Sequence, residues 1–134
     1  MFIKKVLNKF FVLIKSKIYF LKPKKKDILV YDKEGADFKL LKENLKNFKF
    51  NSLDVRQKEI NIYIFFKTVF NFNFNRSFFE NYIINYIESA NPKIIITIID
   101  TNPFFYLIKK YFPKIKTIVI QNACRSKDIK ENIQ

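Results

Sequence analysis

Apolar residues in this chain gather into short dense runs, separated by longer stretches in which they recur at helical spacing. The runs at 28–31 (ILVY), 94–99 (IIITII) and 117–120 (TIVI) read as buried strands, and 48–53 (FKFNSL) as a poorer one. Between them, Phe38, Leu41 and Leu45 repeat as one face of a helix over 36–45. Residues 60–70 and 77–89 predict two further helices joined by the polar, aromatic turn NFNFNR, and Asn91-Pro92 closes the second. A last helix over 103–111 opens on Pro103, where a missing N–H costs nothing. Strands spaced by helices imply βαβ units, so the expected fold is α/β: a Rossmann-like parallel sheet flanked by helices on both faces.

Every expected strand stops at a polar cluster: Asp32-Lys33-Glu34-Gly35, Asp54-Val55-Arg56, Asp100-Thr101-Asn102 and Gln121-Asn122. In an open parallel sheet these clusters share one rim, the carboxyl ends of the strands, where ligands bind. A plainer account also fits each cluster alone, since polar residues must follow a buried strand. Asp100, Thr101 or Asn102 would also serve as the cap of the helix at Pro103.

The first 26 residues carry nine lysines and no acid. Ile3, Val6, Leu7, Phe10, Phe11, Ile14, Ile18 and Leu21 fall on one helical face, with Lys4, Lys5, Lys9 and Lys15 off it and Lys17 intruding. Lysines interrupt the segment too often for a membrane span, and the apolar run at 10–14 is too short for a signal peptide. A basic amphipathic helix over 1–26 is therefore expected to stay attached and cytoplasmic. One reading places it on an anionic bilayer through Phe2, Ile3, Phe10, Phe11 and Ile14, with Lys4, Lys5 and Lys9 beside the headgroups. The other packs it on the domain and leaves its lysines in water.

Composition narrows the chemistry. The chain has 134 residues, 49% hydrophobic, which suits one α/β domain over 27–126 followed by a polar tail, 127–134. With no histidine and one cysteine, Cys124, an ordinary zinc site, a disulfide and a histidine-based nucleophile pair are all excluded. A lone Gly35 cannot build the glycine-rich phosphate turn of dinucleotide folds, which argues against a cofactor-binding dehydrogenase; no cofactor or metal is expected. The net charge of +14 raises a nucleic-acid-binding alternative. Against it, the lysines concentrate in the first segment and the aromatics lie in apolar stretches suited to a core.

The ordered pieces LVYDKEGADF, LDVRQKEINIYIFFKTVF and PKIIITIIDTNPFFYLIKKYFPKIKTIVIQNACR resemble the amino-terminal half of bacterial surface carbohydrate biosynthesis proteins, which are similar to GT-B-type glycosyltransferases. The resemblance spans residues 27–125 and departs at Ala123, where the family usually has glycine after Gln-Asn. It implies an acceptor-side domain facing a nucleotide-sugar-binding domain across a cleft. Asp32, Glu34, Gly35, Arg56, Asn61, Asp100, Asn102, Gln121, Asn122 and Arg125 would then surround that cleft. Asp100 and Asn102 would bond sugar hydroxyls, Gln121 and Asn122 would line the cleft, and Arg56 or Arg125 would meet a phosphate. Arg56 has a second reading as a partner of Asp54 or Glu59, and Asn61 as a helix start. The tail falls where an interdomain linker would be expected, so the chain is expected to be truncated and inactive alone. Its expected partners are a sugar or lipid-linked glycan acceptor, the anionic inner membrane surface and a separate carboxyl-terminal donor domain. A non-catalytic remnant is the remaining alternative.

Overall fold

The computed structural model describes residues 16–33, 36–56, 58–98 and 102–120. In chain order these form β1 (Lys17–Tyr19), β2 (Ile28–Tyr31), α1 (Ala36–Asn44), β3 (Phe50–Leu53), β4 (Glu59–Asn61), α2 (Ile62–Phe70), α3 (Phe78–Ala90), β5 (Ile94–Thr97), α4 (Pro103–Tyr111) and β6 (Lys116–Val119). The main sheet is wholly parallel and ordered β3-β2-β5-β6, with Leu29 level with Asn51 on one side and Ile95 on the other. The fold is thus the expected α/β architecture, a parallel sheet flanked by helices.

Side-chain alternation explains why both sheet faces need cover. On one face Leu29, Tyr31, Leu53 and Ile95 pack with Ile83 and Ile87 of α3 and with Phe104, Phe105 and Ile108 of α4. On the other, Ile28, Val30, Ile96 and Ile98 form a second cluster with Leu41 of α1. The central strand β2 is buried at all four positions, whereas the edge strands β3 and β6 are partly open. Burying each such aliphatic side chain contributes about 1.5–3 kcal/mol, so the two clusters hold the layers together.

Local signals set the helix ends. Ser77 and Glu80 form a capping box at the start of α3, and Asn91 ends it in the left-handed conformation at φ 46°. The Asn102 side chain accepts from the Phe104 N–H, with Pro103 following at the first helical position.

Two expectations are corrected. The amphipathic helix expected over 1–26 does not run through its second half: Lys17–Tyr19 is a strand, paired in parallel with Glu59–Asn61, and the Lys17 N–H bonds the Lys58 carbonyl at 2.7 Å. The α/β unit therefore begins before residue 27. Residues 1–15, with Phe2, Ile3, Lys4, Lys5, Lys9, Phe10, Phe11 and Ile14, lie outside the described residues. The helix expected over 60–70 likewise starts only at Ile62, because residues 59–61 are claimed as β4 by that same pairing. A ladder between segments 42 positions apart leaves no local period to read.

Asn61 joins these pieces. Its side chain accepts from the Ile64 N–H at 3.1 Å and donates to the Leu21 carbonyl at 2.8 Å, while its own N–H donates to the Tyr82 hydroxyl. Replacing Asn61 with alanine strips the α2 cap and orphans a carbonyl, so a loss of about 2 kcal/mol is expected in urea denaturation. Amides of β1 should exchange faster in the same variant; unchanged protection there would show that β1 is held without Asn61.

Candidate functional site at the carboxyl ends of the strands

The strand order places the candidate site. From β2 the chain passes through α1 on one face to β3. It later returns to β5 and β6 on the other side of β2, with α3 and α4 on the opposite face. The connections therefore diverge between β2 and β5, and the carboxyl ends at such a switch point are the usual ligand position in open α/β sheets.

Asp32 turns the chain off β2 in a left-handed conformation, φ 59°, which few residues other than glycine adopt. Its N–H still bonds the Leu53 carbonyl at 3.0 Å, and its carboxylate is buried. Arg56 Nε donates to Asp32 Oδ2 at 3.3 Å, from a side chain that is 48% exposed. Asp54 shapes the loop that delivers Arg56: its two oxygens accept the N–H groups of Arg56 at 2.8 Å and Glu59 at 2.7 Å. Glu59 in turn pairs with Lys33. The Arg56 guanidinium thus bridges to a neighbouring strand end, while Asp54, one of the partners in its second reading, takes the Arg56 backbone N–H, because parallel pairing brings β2 and β3 to one rim.

Beneath Asp32 lies an unusual group. Tyr31 is fully buried, its ring 5.3 Å edge-on from Phe105, and its hydroxyl has no hydrogen-bond partner among the described residues. Burial and then the Asp32 charge push its ionisation far upward, and the nearby Asn102 side chain offsets only part of this. The hydroxyl therefore stays neutral, and an orphaned buried hydroxyl at a strand end marks a place where a polar ligand atom would be welcome.

Beside this rim opens a groove of about 580 Å³, within the range of small-ligand sites. Lys22, Lys24, Lys33, Asn51, Asn61 and Glu59 line its polar side, and Tyr19, Tyr82 and Tyr86 its aromatic side. Burial and neighbouring groups raise the Tyr82 ionisation and push Tyr86 up to about 12, so both remain hydrogen-bonding phenols. A second opening, at the amino ends of the strands, is lined by Lys25, Lys26, Lys49 and Lys93, with Lys93 paired to Asp27.

Of the residues expected at the site, the structure brings Asp32, Arg56 and Asn102 to the rim, joined by Tyr31. Asn61 lines the groove with its side chain committed to the cap. Glu34, Gly35, Asp100, Gln121, Asn122 and Arg125 lie outside the described residues. Sequence reasoning missed Tyr31, although a tyrosine inside a fully apolar strand, one residue before an aspartate, is a usable signal. It also missed Tyr82 and Tyr86, whose four-residue spacing puts both on one face of α3.

Among the described residues, no helix is long and apolar enough to cross a membrane, and no group of three or more acidic, cysteine or histidine residues could hold a metal. Compared with models of protein families, curated proteins and solved structures, the chain finds no match.

Proposed function

We propose that this chain is the acceptor-binding side of a glycosyltransferase-like protein of cell-surface carbohydrate biosynthesis, working at the anionic inner face of the membrane. The observation that carries the reading is the placement of Asp32, Arg56 and Asn102 around the buried Tyr31 hydroxyl at the carboxyl ends of the strands, with a groove of tyrosines, amides and lysines beside that rim. Sugars need this mixture: aromatic faces pack on their C–H surfaces, while amides and hydroxyls read their O–H groups. Arg56 and Lys33 suit a phosphate carried by the acceptor. The resemblance of residues 27–125 to surface carbohydrate biosynthesis proteins supports the same class. In such a transfer an acceptor hydroxyl attacks the sugar's anomeric carbon, a nucleoside diphosphate leaves, and the hydroxyl proton passes to a base. These residues would hold the acceptor, and a separate domain would bring the nucleotide-sugar.

The test is a lipid-free titration with short oligosaccharides and sugar 1-phosphates, followed by NMR of nitrogen-labelled protein. Shifts at the Arg56 Nε–H and the Asn102 side-chain amide are expected, with about tenfold weaker binding in Tyr31→Phe, which removes one hydroxyl contact. If no glycan moves those signals while single-stranded oligonucleotide binds with steep salt dependence, the nucleic-acid alternative prevails.

A further inference from the structure

The helix α2 buries Ile64 and turns three of its four aromatic side chains outward. Its sequence, IYIFFKTVF, has two polar side chains, and both face α3: Thr68 is fully buried against Asn85, and Lys67 reaches Glu88 and Ser89. Tyr63, Phe66 and Phe70, at spacings of three and four, occupy the outer face instead, with Phe70 83% exposed. An exposed aromatic face of this kind belongs against a partner or a membrane, and α2 has protein on its Ile64 and Thr68 side only.

The turn after α2 extends that face on a built support. Asn81 is buried at the base of the turn and donates to the carbonyls of Asn73, Arg76 and Ser77, while Asn73 N–H donates back to Asn81 Oδ1. Asn73 also bonds the Asn75 N–H, closing the tip. Phe74, at 91% exposure, is therefore held outward by an ordered turn. At the other end of α2, Asn61 fastens the Leu21 carbonyl, and Lys22 Nζ lies 5.9 Å over the Tyr63 ring. The exposed apolar side chains of Phe20 and Leu21 follow there, beside Lys22, Lys24 and Lys25.

We propose that the outer face of α2, from Phe20 and Leu21 through Tyr63, Phe66 and Phe70 to Phe74, is a bilayer-contacting surface that lies in the interface of an anionic membrane. The aromatic residues enter the acyl boundary and the flanking lysines meet the headgroups. Charge complementarity selects this occupant: Lys22, Lys24 and Lys25 stand beside the exposed Phe20 and Leu21, and an acidic lipid surface offers both the apolar layer and the opposite charge. The inference goes beyond the sugar-transfer reading and does not depend on residues 1–15.

The experiment uses the full chain with Cys124→Ser and a single Phe74→Cys, labelled with an environment-sensitive fluorophore. Vesicles of phosphatidylcholine with phosphatidylglycerol should shift the label to the blue, and brominated acyl chains should quench it. The same label at Lys42→Cys, on α1 across the sheet, should not respond. In cosedimentation, Phe70→Ser with Phe74→Ser should weaken binding tenfold or more at unchanged circular dichroism, an order of magnitude expected from lost aromatic burial. Three results would overturn the proposal. Vesicle-bound protein with an unshifted Phe74 label would assign membrane contact to residues 1–15 alone. No vesicle binding would remove the surface altogether. A shift that grows with protein concentration without lipid would show that a second copy covers the face. The lipid-free glycan titration fails or succeeds separately from all three.

Discussion

Replacing Phe105 with alanine is expected to destabilise the fold by about 3–5 kcal/mol, the usual cost of emptying a buried aromatic site. Phe105 is 2% exposed on α4, between the helix and the sheet, and its ring meets Tyr31 edge-on. Ile95 and Ile108 belong to the same cluster, so the void would open at the joint of α4 and β5. A domain of this size has only about 5–15 kcal/mol in hand, so the variant should sit close to unfolding at physiological temperature. Urea denaturation of Phe105→Ala beside Phe74→Ala makes the comparison internal. The exposed Phe74 should change stability by no more than about 0.5 kcal/mol. A Phe105 loss below that of Phe74 would mean that α4 does not rest on β2. The milder Phe105→Leu, which keeps most of the volume, should show the same sign at a smaller size. The consequence reaches function, because Phe105 supports Tyr31 and α4 carries Asn102 at its start; a loosened α4 should blur glycan-induced shifts at Asn102 even where the chain remains folded.

Stability should also fall steeply in alkali, starting near pH 10. Tyr31, Tyr82 and Tyr86 all hold their protons more tightly when folded than the ordinary tyrosine value near 10. A raised folded pKa contributes stability that is complete below the unfolded value. Above it the unfolded chain sheds protons that the folded chain keeps, so that contribution is lost as pH climbs toward the folded value. For Tyr86, pushed up to about 12, two pH units correspond to about 3 kcal/mol. The window is pH 10 to 12, and the measurement is the urea midpoint across it, read with phenolate absorbance. The three buried tyrosines should ionise together with unfolding. Lysines lose charge in the same range, so the tyrosine share is isolated by difference: Tyr86→Phe should show a shallower decline than the parent. Equal slopes in the two proteins would remove Tyr86 from the account. The variant also loses the hydroxyl's 3.3 Å bond to the Ser52 carbonyl, a cost that is independent of pH below 10 and so separable.

The main sheet was legible because its strands declare themselves locally. ILVY and the isoleucine run after Lys93 are too apolar and too short for anything but buried strands, and Pro103 and Asn91-Pro92 mark helix boundaries through backbone chemistry alone. The rim followed from that alternation, since parallel strands separated by helices must all end on one side. Asp32, Arg56 and Asn102 were therefore reachable before any coordinates. What stayed hidden depended on partners distant in sequence. Lys17–Tyr19 reads as part of a basic amphipathic helix, yet Glu59–Asn61 recruits it as a strand. The direction in which α2 faces was equally hidden, because in a nine-residue segment whose only polar side chains are the adjacent Lys67 and Thr68 the local pattern does not say which side meets protein. The bonds of Lys67 to Glu88 and Ser89 and of Asn85 to Thr68 settle it by holding that side against α3, which leaves Phe66 and Phe70 outside. Sequence by itself determined the class of fold and the end of the sheet where chemistry would gather, because burial and backbone propensity act within a few residues. Only the tertiary structure decided which charges pair, that the Tyr31 hydroxyl is buried beside Asp32 and Asn102, and which aromatic face meets the surroundings, because those outcomes depend on distances that no local pattern encodes.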